Sequence, residues 1–118
     1  MSKYYQRIGQ WGESAATEYL EKHGYKIVTR NARTPYGEID IVAEKEGFTI
    51  FVEVKTRTTK KFGPPEIAVT PRKQEHMIAA AESYAVEHKI NHWQIDVIAI
   101  EGKPGSTPTF TYFENALG

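Results

Sequence analysis

Three charged residues fall on two neighbouring segments that have strand-like patterns. Asp40 lies in the first segment, and Glu53 and Lys55 lie in the second. Because side chains of a strand alternate between faces, Glu53 and Lys55 point to the same side. Glu46–Gly47 predicts a hairpin turn, and pairing about that turn places Asp40 beside the other two. The spacing therefore predicts two carboxylates and an ammonium group on one patch of a sheet.

Such a patch is suited to a hard divalent cation. Charges on a covered sheet face are costly unless they are paired or bind metal. Asp40 and Glu53 offer the oxygen ligands that Mg²⁺ prefers, with Mn²⁺ as a substitute, and the carbonyl of Val54 offers another. A bound cation activates water and stabilises charge on a phosphate, and Lys55 is placed to orient that water or neutralise the phosphate. The predicted chemistry is phosphodiester hydrolysis.

The first predicted helix supplies a fourth candidate. Apolar residues recur at helical spacing over Gln6–His23, and Glu13 falls at the margin of their arc. From that margin its carboxylate can reach over the sheet toward a metal. Gly9 and Gly12 lie beside it on the helix and are expected to let the helix approach closely. A bare Glu-x-Lys in a strand is more often a solvated cross-strand ion pair, so the combination with Asp40 and Glu13 carries the prediction.

The elements that must position these residues follow from periodicity and turn signals. Strands are predicted at Tyr25–Arg30, Glu38–Glu44, Phe48–Arg57, Trp93–Ile100 and Thr109–Phe113. Thr70 and Pro71 begin a second helix that runs to about His88, and Thr58–Pro65 is expected to form a surface loop. The order predicts one α/β domain over residues 1–118, a sandwich with a central mixed sheet and a helix on each face.

The charge balance counts against nucleic-acid binding by bulk charge alone, because 15 basic residues face 15 acidic ones. Two segments nevertheless hold basic residues and no acid, between Glu21 and Glu38 and between Glu53 and Glu66. Together with the start of the second helix, they supply candidate contacts to DNA phosphates. These candidates are Arg30, Arg33, Arg57, Lys60, Lys61, Lys73 and Gln74. Solvated loops and strand edges are the alternative interpretation.

Other site classes are excluded by composition. The absence of cysteine excludes disulfides and thiolate metal sites. No apolar stretch approaches the roughly 20 residues that a membrane span needs, and no secretory signal is evident at the start. A cytoplasmic protein without a membrane partner is expected.

The order of these motifs resembles the PD-(D/E)xK, or restriction-endonuclease-like, superfamily. Its core is a helix carrying an acid, a hairpin carrying Asp and then (D/E)-x-K, a helix and a further strand. Ile39 stands where the superfamily name has proline. More closely, the chain resembles the YraN-like family of uncharacterised bacterial proteins. The matching segments are Gly9–Glu13, Arg30–Arg33, Gly37–Asp40, Val52–Arg57 and Glu114–Leu117.

The resemblance implies a fold similar to the archaeal Holliday-junction resolvases, which are homodimeric, Mg²⁺-dependent DNA endonucleases. It matches Asp40 and Glu53 to metal ligands, Lys55 to the catalytic lysine and Glu13 to the helix acid. A homodimer acting on branched or duplex DNA is therefore expected. Fold alone does not fix function, so two alternatives stay open: a nucleic-acid-binding module without catalysis, and a protein-interaction domain in which the acids form ion pairs.

Overall fold

The computed structural model describes residues 3–58 and 70–117, which form two helices and five strands. Their order is α1 (Lys3–Lys22), β1 (Lys26–Thr34), β2 (Gly37–Lys45), β3 (Phe48–Arg57), α2 (Pro71–Glu87), β4 (Trp93–Glu101) and β5 (Thr109–Phe113). The strands form one sheet in chain order. Only β3 and β4 are parallel neighbours within this described sheet, and α2 is the crossover between them. The predicted α/β sandwich with a mixed sheet is confirmed.

Most predicted elements are present, with changes at their ends. The first helix starts at Lys3 rather than Gln6. The first strand was predicted to end at Arg30, which was wrong, because pairing with β2 continues to Thr34 opposite Gly37. β3 and β5 have the predicted bounds. Of the predicted loop, Thr58 is a bend, and the rest lies outside the described residues.

Each face of the sheet is covered by one helix. Ala16 and Leu20 of α1 pack on one face, against a cluster that includes Ile41, Ile50 and Ile98. Four buried residues of α2 pack on the other face: Ala80, Ala81, Tyr84 and Ala85. Their partners on the sheet include Ile39, Val42, Phe51 and Ile95. Because neighbouring strand residues such as Ile50 and Phe51 join different clusters, the alternation of the strands produces the two layers.

Local sequence fixes where the second helix begins. Thr70 is the N-cap, and its hydroxyl accepts a hydrogen bond from the Lys73 N–H at 3.2 Å. Pro71 follows at the first helical position, where its missing N–H has no intrahelical partner to lose. The first turn of α2 contains Lys73, whose ammonium group lies 3.3 Å from Glu53 Oε1 on β3. No helix in residues 3–58 or 70–117 is long and apolar enough to cross a membrane.

Strand β2 departs from regular alternation at Asp40. Ile39 and Ile41 are two residues apart, yet they join clusters on opposite faces of the sheet. Across the hairpin, Asn31 of β1 has a left-handed backbone, with φ of 55°. The paired register of β2 with β3 runs from Lys45 only as far as Ile41. The sheet therefore opens between β2 and β3 at the position of Asp40.

Candidate functional site

The Asp40 carboxylate bridges this opening in the sheet. Continuing the β2–β3 register beyond Ile41 and Val52 would place Val54 opposite Ile39. The Val54 N–H donates instead to Asp40 Oδ2, at 2.8 Å. A side-chain oxygen thus replaces a backbone acceptor. This contact joins Asp40 to the Glu53–Lys55 segment, as the hairpin spacing predicts.

Glu53 lies between the sheet and the start of α2. Its Oε1 is 3.3 Å from the Lys73 ammonium, and its side chain is 18% exposed, whereas that of Lys73 is 56% exposed. Lys73 was predicted as a phosphate contact, and the structure places it directly against a candidate metal ligand. The ammonium group supplies positive charge where the sequence predicts a cation.

Glu13 reaches the site from α1. Its Oε1 is 3.7 Å from Arg30 Nη2, and its charge acts on Asp40. Arg30 Nη2 also lies 3.5 Å from the Ser14 hydroxyl. We refer to Asp40, Glu53 and Glu13 as the acid cluster. Arg30, a predicted DNA contact, therefore forms an ion pair with a member of the acid cluster.

The two glycines beside Glu13 have different roles. A Cβ atom on Gly12 would collide with the hydroxyl of Thr56 on β3, so glycine is needed for α1 to lie this close to the strand. A Cβ atom on Gly9 would meet nothing within 4 Å. The expectation of close approach is confirmed at Gly12 and is wrong at Gly9.

The acid cluster changes the proton affinity of its central member. Burial raises the pKa of Asp40, and the neighbouring charges of Glu53 and Glu13 raise it further. The hydrogen bond from the Val54 N–H acts in the opposite direction, and the resulting pKa of Asp40 is about 7. Burial and repulsion thus disfavour the ionised form of Asp40. A cation between the carboxylates would offset both effects.

The acid cluster offers few ligands for a divalent cation. Within residues 3–58 and 70–117, no group of three or more His, Cys, Asp or Glu side chains has an arrangement that could hold a metal ion. Mg²⁺ requires fewer protein ligands, since it keeps several waters and binds through one or two carboxylates. Asp40 and Glu53 match that number and chemistry. A metal site at this position would therefore consist of two carboxylates and water rather than an all-protein cage.

Lys55 and Arg57 continue along β3 beyond Glu53. Both are partly exposed, and their register partners on β4 are Ala99 and Glu101. By strand alternation they share the face of Glu53. Glu101 was not singled out from the sequence; it is 7% exposed, and its Oε2 has no hydrogen-bond partner in the described part of the chain. The sequence signal that could have indicated its burial is its position directly after the strand segment Ile95–Ile100, on the same face as Ile95.

The other predicted DNA contacts are spread around this site. Gln74 is partly exposed in the first turn of α2, and its N–H donates to the Thr70 carbonyl at 2.9 Å. Arg33 is exposed on β1, where its register partner is Glu38. Lys60 and Lys61 lie outside the described residues. The basic candidates that the structure describes therefore come from β1, β3 and α2.

Comparison with known sequences identifies the family. The model of the uncharacterised protein family UPF0102 matches residues 12–100. The chain belongs to this family. The match confirms the resemblance to YraN-like proteins, because the two names describe one family. The matched range includes Glu13, Asp40, Glu53 and Lys55, and thus every predicted catalytic residue.

Several UPF0102 proteins are similar over nearly the full length. One from Dehalococcoides mccartyi is 41% identical, with 93% of this chain and 92% of the relative covered. One from Syntrophotalea carbinolica is 47% identical, with 96% and 94% covered. One from Geobacter metallireducens is 43% identical, with 99% and 97% covered. Family membership thus applies to the whole chain.

Two solved structures show partial likeness. A protein of unknown function, AF1548, is 22% identical with a TM-score of 0.45, and 80% of this chain is covered. Pyrococcus furiosus SfsA, solved with Ca²⁺, is 15% identical with a TM-score of 0.44, and 86% of this chain is covered. The matched regions span 48% of AF1548 and 62% of SfsA.

Proposed function

We propose that this UPF0102 protein is a metal-dependent DNA endonuclease that hydrolyses phosphodiester bonds, with branched DNA as the substrate class. The observation that carries the proposal is the convergence of Asp40 and Glu53 at the opening between β2 and β3. Asp40 bonds to the Val54 N–H, and the pKa of Asp40 is raised by burial and by Glu53 and Glu13. An acid pair held in repulsion beside a lysine matches the needs of phosphodiester hydrolysis.

Asp40 and Glu53 are the residues proposed to hold Mg²⁺ or Mn²⁺, with the Val54 carbonyl as a further oxygen donor. Glu13, predicted as a further ligand, is proposed to support them through its charge on Asp40. When bound, the cation supplies Lewis-acid stabilisation of phosphate charge and lowers the pKa of a coordinated water. Lys55 shares the strand face of Glu53 and is assigned to position the attacking water or neutralise the phosphate. Val54 fixes the orientation of Asp40 through the 2.8 Å hydrogen bond.

The basic residues around the acid cluster support a polyanionic substrate. Arg57 follows Lys55 on the same strand face. Lys73 lies in the first turn of α2, beside Glu53. Arg30 and Arg33 lie on β1, and Gln74 lies beside Lys73. Lysine and arginine side chains around the acids would offset their repulsion of phosphates. Symmetric cutting of a branched junction needs two such sites, so a homodimer is part of the proposal.

The proposal is tested by cleavage of labelled single-stranded, duplex, flapped and four-way-junction DNA in Mg²⁺ or Mn²⁺. Asp40→Asn and Lys55→Ala proteins, purified identically, are compared with wild type. We expect cutting by wild type and a loss of at least about 100-fold in each variant. Equal cutting by all three would assign the activity to a contaminant or to another site.

A nucleic-acid-binding module without catalysis is the second candidate. The observation that favours it is the ion pair between Lys73 and Glu53, which neutralises a candidate ligand without metal. This candidate predicts DNA binding with no cleavage by any of the proteins. A ligand that binds only the native state raises the melting temperature. This candidate binds no Mg²⁺, so it predicts that added Mg²⁺ leaves the melting temperature unchanged.

A further inference from the structure

Exposed aromatic rings and basic side chains meet at the start of α1, outside the acid cluster. Tyr4 is 49% exposed and Tyr5 is 67% exposed, and their rings meet edge to face with centroids 5.4 Å apart. Tyr4 also lines a recess with Arg7 and Lys103. We call Tyr4, Tyr5, Arg7 and Lys103 the aromatic–basic surface.

The charge of this surface has one sign. The first turn of α1 contains no acid, and Lys3, Arg7 and Lys103 are all exposed. Of the residues that the structure describes, those lining the recess with Tyr4, Arg7 and Lys103 include no acid. The helix dipole adds positive potential at the same end. A chain with zero formal net charge thus concentrates basic groups around two exposed tyrosines.

Packing fixes the aromatic–basic surface next to the end of β3. A Cβ atom on Gly102 would lie 3.1 Å from the Trp11 ring, so the segment before Lys103 is packed tightly on α1. The Gly102 N–H also donates to the Arg57 carbonyl at 2.9 Å. Lys103 is therefore held beside the strand end that carries Arg57, a proposed phosphate contact.

One side of α1 runs from this surface toward the acid cluster. Tyr5, Gly9 and Glu13 are spaced by four residues, so they lie along one side of the helix. Among residues 3–58 and 70–117, no atom lies within 4 Å of a Cβ placed on Gly9, apart from its own neighbours on the helix, so this position has room for a bound group. At 1.5 Å per residue, Tyr5 is roughly 12 Å along the axis from Glu13. That length corresponds to roughly four nucleotides of a stacked strand.

We propose that the aromatic–basic surface binds an unpaired strand of the substrate. The bases stack on Tyr4 and Tyr5, and the phosphates pair with Arg7 and Lys103. Only an unpaired strand presents base faces for stacking, which is tolerant of sequence. The identity of the polymer rests on the proposed endonuclease function. The substrate class then becomes DNA with a single-stranded arm beside the cleaved bond.

The test measures binding in an Asp40→Asn background, in which cleavage is blocked. Labelled duplexes with no arm and with arms of about two, four and eight nucleotides are titrated by fluorescence anisotropy. Affinity is expected to rise until the arm reaches about four nucleotides. Adding Tyr4→Ala and Tyr5→Ala should weaken binding of armed DNA by about tenfold or more per lost ring and leave blunt duplex unaffected. The pair Tyr4→Phe and Tyr5→Phe should keep the affinity.

Tyr36→Ala is the matched control, because Tyr36 is 56% exposed on the β1–β2 turn. The proposal is overturned if the alanine pair binds armed DNA normally, or if Tyr36→Ala weakens binding equally. It is also overturned if light scattering shows that the alanine pair changes the oligomeric state, since the tyrosines would then contact a second copy.

The two proposals fail in different ways. If wild type cuts DNA and the alanine pair binds armed DNA normally, the aromatic–basic surface is wrong and the endonuclease proposal stands. If no protein cuts DNA but the alanine pair loses affinity for armed DNA, the surface is supported and the endonuclease proposal fails.

Discussion

Two aspartates of this sheet have opposite surroundings. Asp96 on β4 is fully buried and accepts hydrogen bonds from Gln94 Nε2 at 2.9 Å, the Asn115 N–H at 2.8 Å and the Tyr112 hydroxyl. Asp40 on β2 has the Val54 N–H as its donor and two acids as electrostatic neighbours. Burial and the bond to Asp96 raise the pKa of Tyr112 far above its ordinary range. The first carboxylate lies among hydrogen-bond donors, whereas the second lies beside two other acids.

This difference separates a structural acid from a candidate ligand. The donors around Asp96 tie β5 and the following segment to β4, and the Ala116 N–H to Ile95 carbonyl bond continues that link. Around Asp40, burial and the charges of Glu53 and Glu13 outweigh the Val54 hydrogen bond, and its pKa rises to about 7. Buried polar groups without full compensation are uncommon in native proteins and concentrate at functional sites. The contrast between Asp96 and Asp40 therefore supports the site assignment independently of motif resemblance.

The largest expected effect is on folding. Asp96→Ala would remove a fully buried acceptor and leave the three donors from Gln94, Tyr112 and Asn115 without it, and we expect a loss of about 3 kcal/mol or more in the free energy of unfolding. Asp40→Asn should leave stability unchanged or raise it in metal-free buffer, because it removes repulsion with Glu53 and Glu13. Urea denaturation of both variants beside wild type measures the difference. Equal losses would show that the two aspartates are both structural.

A smaller effect is expected from pH, and it depends on Asp40. Between its ordinary value of 3.8 and its folded pKa of about 7, Asp40 keeps its proton when folded and loses it when unfolded. The metal-free protein should therefore lose stability as pH rises through this window, and Tm should fall by about 5 °C or more. Circular dichroism melts in chelator at pH about 5 and about 8 measure this fall.

Asp40→Asn is the control for that pH dependence, because it cannot ionise. Its slope over the same window should be smaller than that of wild type. Added Mg²⁺ should stabilise wild type more at the higher pH, where ionised Asp40 is available as a ligand. An unchanged slope in Asp40→Asn would assign the titration to other groups.

The smallest effect is expected at Lys73. Its ammonium is exposed, so Lys73→Ala should change the free energy of unfolding by less than about 1 kcal/mol. Because Lys73 competes with a cation for Glu53, its removal should lower the Mg²⁺ concentration for half-maximal stabilisation, by up to about fivefold. Arg72→Ala, an exposed neighbour on α2, is the matched control. A weaker Mg²⁺ response in Lys73→Ala would show that Lys73 supports the metal site rather than competing with it.

Much of the fold was determined by local sequence signals. Three short-range features gave correct predictions: the Thr70–Pro71 helix start, the Glu46–Gly47 turn and the helical periodicity of α1, whose start lies three residues before the predicted one. The extension of β1 to Thr34 was missed because it depends on pairing with β2 rather than on strand propensity. The spacing of Asp40, Glu53 and Lys55 was likewise readable, since hairpin register follows from the turn.

Only the tertiary structure decided how the acids are compensated. Three contacts of the acids join residues from different elements. They are the hydrogen bond between Asp40 and Val54, the Lys73–Glu53 ion pair and the Glu13–Arg30 ion pair. Burial of Glu101 and the three-donor shell of Asp96 also depend on long-range packing. Periodicity specifies which face a side chain takes, but desolvation and charge pairing arise only when distant segments pack together.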